Sequence, residues 1–219
     1  MGGSTCPSAQ AACLYREASL ARGHHPLQAR GATASLRAGL AQFRRFDWRP
    51  GDEPGAGWLY AVNAGRDWLG DDHPREELNV IVCGRHHGWL FVHEEALKDP
   101  EYWDKRPRGV HFTPPVHTFA AHSTPLSIRF LRHQLDIAPG TVALIARHGS
   151  WNRSRKVGYD VVWLEFRGNR RIIHRPYVTG FLEDGNVLGR PVDVFEAPDG
   201  AIYITDDLSG FIYRLRRPR

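Results

Sequence analysis

The stretch from Gly189 to Arg214 constrains this chain more than any other. Val192 and Val194, then Ile202 and Ile204, alternate with smaller or polar residues, the period of a half-buried strand. Asp199-Gly200 supplies the positive φ that a tight hairpin needs, and Ser209-Gly210 supplies the next reversal. The stretch therefore reads as three short strands in a meander. Strands this short cannot bury a face alone, so they must pack on other sheets.

The same unit recurs upstream. Gly57-Trp58-Leu59-Tyr60-Ala61-Val62-Asn63 runs into the polar loop Ala64-Gly65-Arg66-Asp67. Pro139-Gly140 precedes the apolar run Thr141 to Ala146, then His148-Gly149-Ser150-Trp151, then a second apolar run from Tyr159 to Leu164. Turn, apolar strand and polar loop in succession is what propeller blades produce, at roughly 40–50 residues per blade. The spacing is irregular, which predicts loop insertions. Asn79–Val82, Gly88–Val92 and Ser127–Leu131 are further strand candidates. The excursion from His93 to Pro115 carries Pro100, Pro107, Pro114 and Pro115, and loops of that length are often functional. Order is expected from about Phe46-Asp47-Trp48 onward, with no long helical pattern. The fold class is all-β, with propeller blades over residues 38–219. Residues 1–37 differ: they are rich in Ala, Arg, Ser and Gly, and Glu17 is their one acid. Gly23, Pro26, Gly31 and Gly39 interrupt the only helical pattern there. This segment is expected to be poorly specified and foreign to the blades, as a misread start or shifted frame would be.

Composition excludes several functions. The formal charge is +5, and only three of the 29 basic side chains are lysines (Lys98, Lys105, Lys156). The arginines are scattered apart from a short cluster at Arg214, Arg216, Arg217 and Arg219, a pattern of solvated surface rather than a nucleic-acid face. Cys6, Cys13 and Cys83 show neither a disulfide framework nor zinc spacing. No apolar run approaches the ~20 residues of a membrane span. No basic-then-apolar leader opens the sequence, so either the protein is cytoplasmic or its export signal lies upstream.

Propellers gather ligands on the loops at one end of the channel. In the loop Asn63 to Asn79, carboxylates, an amide and turn carbonyls crowd together; such hard oxygens suit Ca²⁺, and a solvated acidic turn fits the same residues. In His148 to Gly158, Arg153, Arg155 and Lys156 follow a strand end beside Trp151 and would hold an anion; an exposed basic hairpin is the alternative. Arg190 is a further candidate cation. The twelve histidines show no metal-binding spacing, and the Gly-x-Ser-x-Gly, P-loop and Gly-x-Gly-x-x-Gly motifs are missing.

Residues from about Ala38 to Arg214 resemble the C-terminal half of the soluble pyrroloquinoline quinone (PQQ)-dependent sugar dehydrogenases, the glucose/sorbosone dehydrogenase family. The resemblance is carried by Phe46-Asp47-Trp48, Asn63 to Asp72, Glu77-Leu78-Asn79, Gly88-Trp89, the run from Pro114 to His122, His148 to Arg153, and Gly189 through Arg214. It implies a six-bladed β-propeller of which this chain supplies the last three or four blades. It also implies export to the periplasm or the medium, a quinone on top of the channel, and hydride transfer from a sugar. A Ca²⁺ would be held by the main-chain carbonyls of Gly65 and Arg66. The quinone carboxylates would meet Arg153 or Lys156, and Arg190. The family's Arg-Asn pair after Gly-Leu is Ala41-Gln42 here, so an arginine is missing and Gln42 is the cofactor-facing side chain at that position. Gly88-Trp89-Leu90 lacks the usual proline, and His87 stands where a tyrosine is common. The catalytic histidine lies in the absent half, so the chain alone is expected to be inactive. The alternatives are a non-catalytic propeller remnant that acts as a binding module, and a calcium-dependent lactonase-like hydrolase. Open propeller edges predict association as a homodimer.

Overall fold

The apolar alternations resolve into three antiparallel sheets in a computed structural model that describes residues 40, 42–51, 57–82, 84–134, 136–168 and 171–216. The first sheet begins with β1 (Gln42–Pro50), β2 (Gly57–Ala64) and β3 (Glu76–Val80). The chain then leaves for a ribbon of β4 (Val92–His93) and β5 (Leu97–Lys98), passes a 3-10 turn at Trp103–Lys105, and returns as β6 (His117–Phe119) beside β3. The second sheet is a plain meander: β7 (Pro125–Phe130), β8 (Val142–Arg147), β9 (Asp160–Arg167) and β10 (Arg171–Val178). A small ribbon, β11 (Leu182–Glu183) and β12 (Asn186–Val187), leads to the third sheet of β13 (Pro191–Glu196), β14 (Ile202–Asp206) and β15 (Ile212–Leu215).

The first strands of the three sheets neighbour one another in turn, β1 against β7 and β7 against β13. The sheets are thus three successive blades of a β-propeller, with β1, β7 and β13 innermost. Period-two geometry explains why the middle blade is apolar on both faces. Ala143 and Ile145 point toward the first blade and, with Phe130 of their own blade, join its Tyr60, Val62, Leu78 and Phe119. Val142, Leu144 and Ala146 point the other way, onto Val194, Ile202 and Ile204 of the third blade. Polar clamps reinforce the apolar contacts. The Asp47 carboxylate accepts the Phe130 amide at 2.8 Å and the Arg132 guanidinium at 2.8 Å, tying blade one to blade two. Glu196 accepts the amides of Arg132 and His133 at 2.6 and 3.0 Å, tying blade two to blade three.

The C-terminal meander forms as its sequence predicts, with Gly200 and Gly210 at φ 77° and 71° in its two turns. Two expectations change. The first strand begins at Gln42 rather than near Phe46. Residues 88–91 are a turn, not a strand: the amides of Phe91 and Val92 bond back to the Gly88 carbonyl. Gly88 sits at φ 105°, where a Cβ would lie 2.4 Å from the Val92 oxygen. Strand β10 carries no apolar alternation, because it is the solvent-facing edge of its blade. Its Pro176 is tolerated there because an edge strand has amides to spare. The expectations for residues 1–37 and for Cys6, Cys13 and Cys83 lie outside the described residues.

Candidate functional site

In all three blades, the loops after the second strand and before the first strand lie at the same end of the innermost strands. They enclose a cleft of 480 Å³. From blade one come Gln42, Arg44, Gly65, Asp67 and Glu76. From the second blade and its entry loop come His122, Thr124, His148 and Trp151. Arg190 and Asp207 close the side formed by blade three.

Short-range bonds build these loops. The Glu76 carboxyl accepts the Gly65 amide at 2.6 Å and the Thr124 amide at 3.3 Å, joining the first blade's loop to the second blade's entry. Burial pushes Glu76 up to about 8, so it is a neutral acid at pH 7. Asp206 accepts the Arg190 amide at 3.0 Å and the amides of Leu208 and Ser209 at 2.9 and 3.0 Å, which fixes where Arg190 leaves the backbone. Gly189 is required there, since a Cβ would meet the Asp206 carboxylate at 2.2 Å. The His148 and Gly149 amides bond to the carbonyls of Thr124 and Ser123. Trp68, His122, Thr124 and Tyr159 all hold left-handed backbone, at φ 72°, 64°, 50° and 59°. Strain of this type in non-glycine residues collects at functional sites.

The cleft is balanced in charge. The Arg190 Nε lies 3.2 Å from an Asp207 carboxylate oxygen, an ion pair whose geometry falls short of a hydrogen bond. His148 Nε2 is 3.1 Å from the same Asp207 carboxylate. His122 Nε2 donates to the Gly70 carbonyl at 2.8 Å, which leaves Nδ1 toward Asp67 at 3.6 Å. Arg44 donates to the Gln42 amide oxygen. Among the described residues no three His, Cys, Asp or Glu side chains converge on a metal position.

Of the residues singled out from sequence, Gln42, Gly65 and Arg190 line this cleft. Arg153, Lys156 and the Arg66 side chain are engaged outside it. Arg153 bonds to the Asp71 carbonyl at 2.8 Å, the Ala121 carbonyl at 3.3 Å and the Asp72 carboxylate at 2.8 Å. Lys156 donates to the Gly185 carbonyl at 2.8 Å. Arg66 pairs with the buried Asp99 at 2.7 Å; Asp99 also takes His93 at 2.8 Å and the amides of Glu101 and Tyr102. The proline-rich excursion is therefore anchored beside the loop that carries Gly65. Sequence reasoning passed over Arg44, His122, His148 and Asp207. His122, His148 and Asp207 fall in stretches that carry the family resemblance, but nothing in those stretches singled them out as side chains of one cleft.

Three comparisons place the chain among known proteins. The family described as TrAA12-like matches residues 87–218. An uncharacterized protein of Borreliella burgdorferi is 36% identical over 162 residues, which cover 72% of this chain and 43% of that protein. Among solved structures, the calcium structure of Trichoderma reesei Carbohydrate-Active Enzymes Family AA12 superposes with a TM-score of 0.64 at 22% identity, covering 88% of this chain and 57% of that one. The holo form of the pyranose dehydrogenase PQQ domain from Coprinopsis cinerea gives 0.54 at 19% identity, covering 82% and 54%. At these identities the structural likeness is one of fold. The chain spans about half the length of the proteins it matches. With more than half of its residues matched, the chain belongs to the TrAA12-like family.

Proposed function

We propose that this chain is the quinone-holding half of a PQQ-dependent sugar oxidoreductase and that, alone, it turns over no sugar. The observation that carries the reading is the cleft itself. Loops from all three blades meet there around the Arg190 guanidinium, which is partly exposed and pairs through Nε with Asp207. A guanidinium is the donor a dianionic or trianionic ligand needs.

The residues present fit the group. Arg190 would pair with a quinone carboxylate, with Arg44 as a second cation at the opposite wall. Gln42 would offer its amide, and Trp151 an aromatic edge to the cleft. A calcium ion would rest on main-chain oxygens of Gly65 and Arg66, hard donors of the kind calcium takes. Arg153 and Lys156 would act through loop position rather than by direct contact. When bound, the quinone supplies a two-electron acceptor for the sugar's anomeric C–H. The chain's own part is to bind, orient and exclude water. His122 Nδ1, facing Asp67, and His148, paired to Asp207, are the titratable nitrogens in the cleft. Export to the periplasm or the medium belongs to the same reading; among the described residues no helix is long and apolar enough to cross a membrane.

The test is sugar oxidation by the purified chain with added quinone and calcium, run beside quinone binding by equilibrium dialysis. Binding without turnover is expected. Turnover above background would refute the claim of inactivity, and absence of binding would refute the cleft assignment.

A further inference from the structure

We infer that Trp68 and Trp151 form a carbohydrate-binding platform on the rim of the cleft, a subsite for the pyranose rings of a neutral oligosaccharide. This rests on the carbohydrate reading of the cleft and adds Trp68, outside the cleft lining, to Trp151. Trp68 and Trp151 are 75% and 70% exposed, the two highest values for large apolar side chains among the described residues. They come from the second-to-third-strand loops of two different blades, yet their rings meet edge to face with centroids 6.0 Å apart and planes at 81°. Two water-facing indoles at a right angle make an open corner. Two exposed indoles in contact form a patch, unlike apolar residues scattered singly.

The corner is held in place. Arg153 reaches from the Trp151 loop to the Asp71 carbonyl and the Asp72 carboxylate of the Trp68 loop. The Ser154 amide adds a bond to Asp71 at 3.1 Å. The Ser154 side chain and amide hold the Asp71 carboxyl below its ordinary range. Trp68 also keeps φ at 72°, an uncommon conformation for a bulky residue. The two loops that carry the rings are thus tied together before any ligand arrives, which lowers the ordering cost of binding.

The occupant follows from the chemistry of the surround. A protein partner would want a continuous apolar area, whereas this patch is two rings set among Asp72, Arg153, Ser154 and Arg155. A pyranose has an apolar C–H face that stacks on an indole and a rim of hydroxyls that bonds to such polar groups. Trp151 lines the cleft, and Trp68 follows Asp67, which lines it too. A chain whose terminal sugar enters the cleft would lay its next ring on the corner, so longer sugars bind more tightly than monomers.

The experiment is calorimetric titration of the chain, without quinone or calcium, using glucose, cellohexaose and maltohexaose. A failed cofactor assignment therefore leaves this result readable. At least one hexasaccharide should bind ten or more times more tightly than glucose. Trp68→Ala and Trp151→Ala should each weaken it about tenfold, equivalent to one good aromatic contact. Trp151→Phe should keep part of the affinity. Thermal melts of all variants should match the parent, because both side chains are exposed. Equal hexasaccharide affinity in the parent and the double variant, no binding by the parent, or a dimer that dissociates when the indoles are removed would each overturn the proposal.

Discussion

His117 on β6 and His174 on β10 join the outer edges of blades one and two, with Nε2 of the first 3.1 Å from Nδ1 of the second. One nitrogen must donate and the other accept, so the contact is lost when both rings are protonated. Burial, the facing His174 and the nearby Arg147 hold His117 down at about 4, and burial with Arg147 lowers His174 as well. Phe119 packs on both rings, and Asp160, which favours a charged His174, is itself tied to Arg147 by two bonds of 2.7 and 2.6 Å. A folded-state value below the unfolded 6.5 means that the unfolded chain takes up the proton first. Stability is then complete above pH 6.5 and falls as pH drops from 6.5 toward 4. A fully buried ring would lose about 3 kcal/mol over that window at ~1.4 kcal/mol per unit. His117 is only half-buried, so solvent screening reduces this to about 1–2 kcal/mol. His117→Phe keeps the ring packing against Phe119 and removes the titration. Urea unfolding followed by tryptophan fluorescence between pH 7 and 4.5 should show the parent losing about 1–2 kcal/mol more than the variant. Parallel pH slopes for the two proteins would refute the reasoning.

Two further perturbations test the packing and the loops. Leu144→Ala, at a fully buried position between blades two and three, should cost about 2–5 kcal/mol in denaturant unfolding; a loss under 1 kcal/mol would mean the third blade is not packed there. Gly149→Ala should displace the Tyr159 ring, which would lie 2.4 Å from the new Cβ at φ 106°. The expected readout is a lower melting temperature together with weaker quinone binding, and an unchanged melt would count against the tight loop geometry.

The parts of the fold written in period two were legible. The alternation at Val192, Val194, Ile202 and Ile204, with its two glycine turns, gave β13 to β15 correctly, and the all-β class followed. Strand β10 was not legible because an edge strand buries little and carries no alternation. The turn at Gly88 was hidden inside an apolar run because close approach of Val92, not polarity, decides its shape. Arg190 could be picked out as a cation at the start of the last meander, although its Gly-Arg-Pro turn also reads as purely structural. Arg153 and Lys156 look the same in sequence, yet their heads turn to loop carbonyls, since direction depends on residues eighty or thirty positions away. The same holds for His122, His148 and Asp207, which share a cleft only because three blades end at one level.

Calcium-dependent quinone affinity, measured by titration of the parent chain and of Arg190→Ala, bears most directly on what the cleft is for. Tight binding that weakens at least tenfold when calcium is chelated, and again when the guanidinium at position 190 is removed, is the predicted result. Equal affinity in all three conditions, or none in the parent, would contradict it.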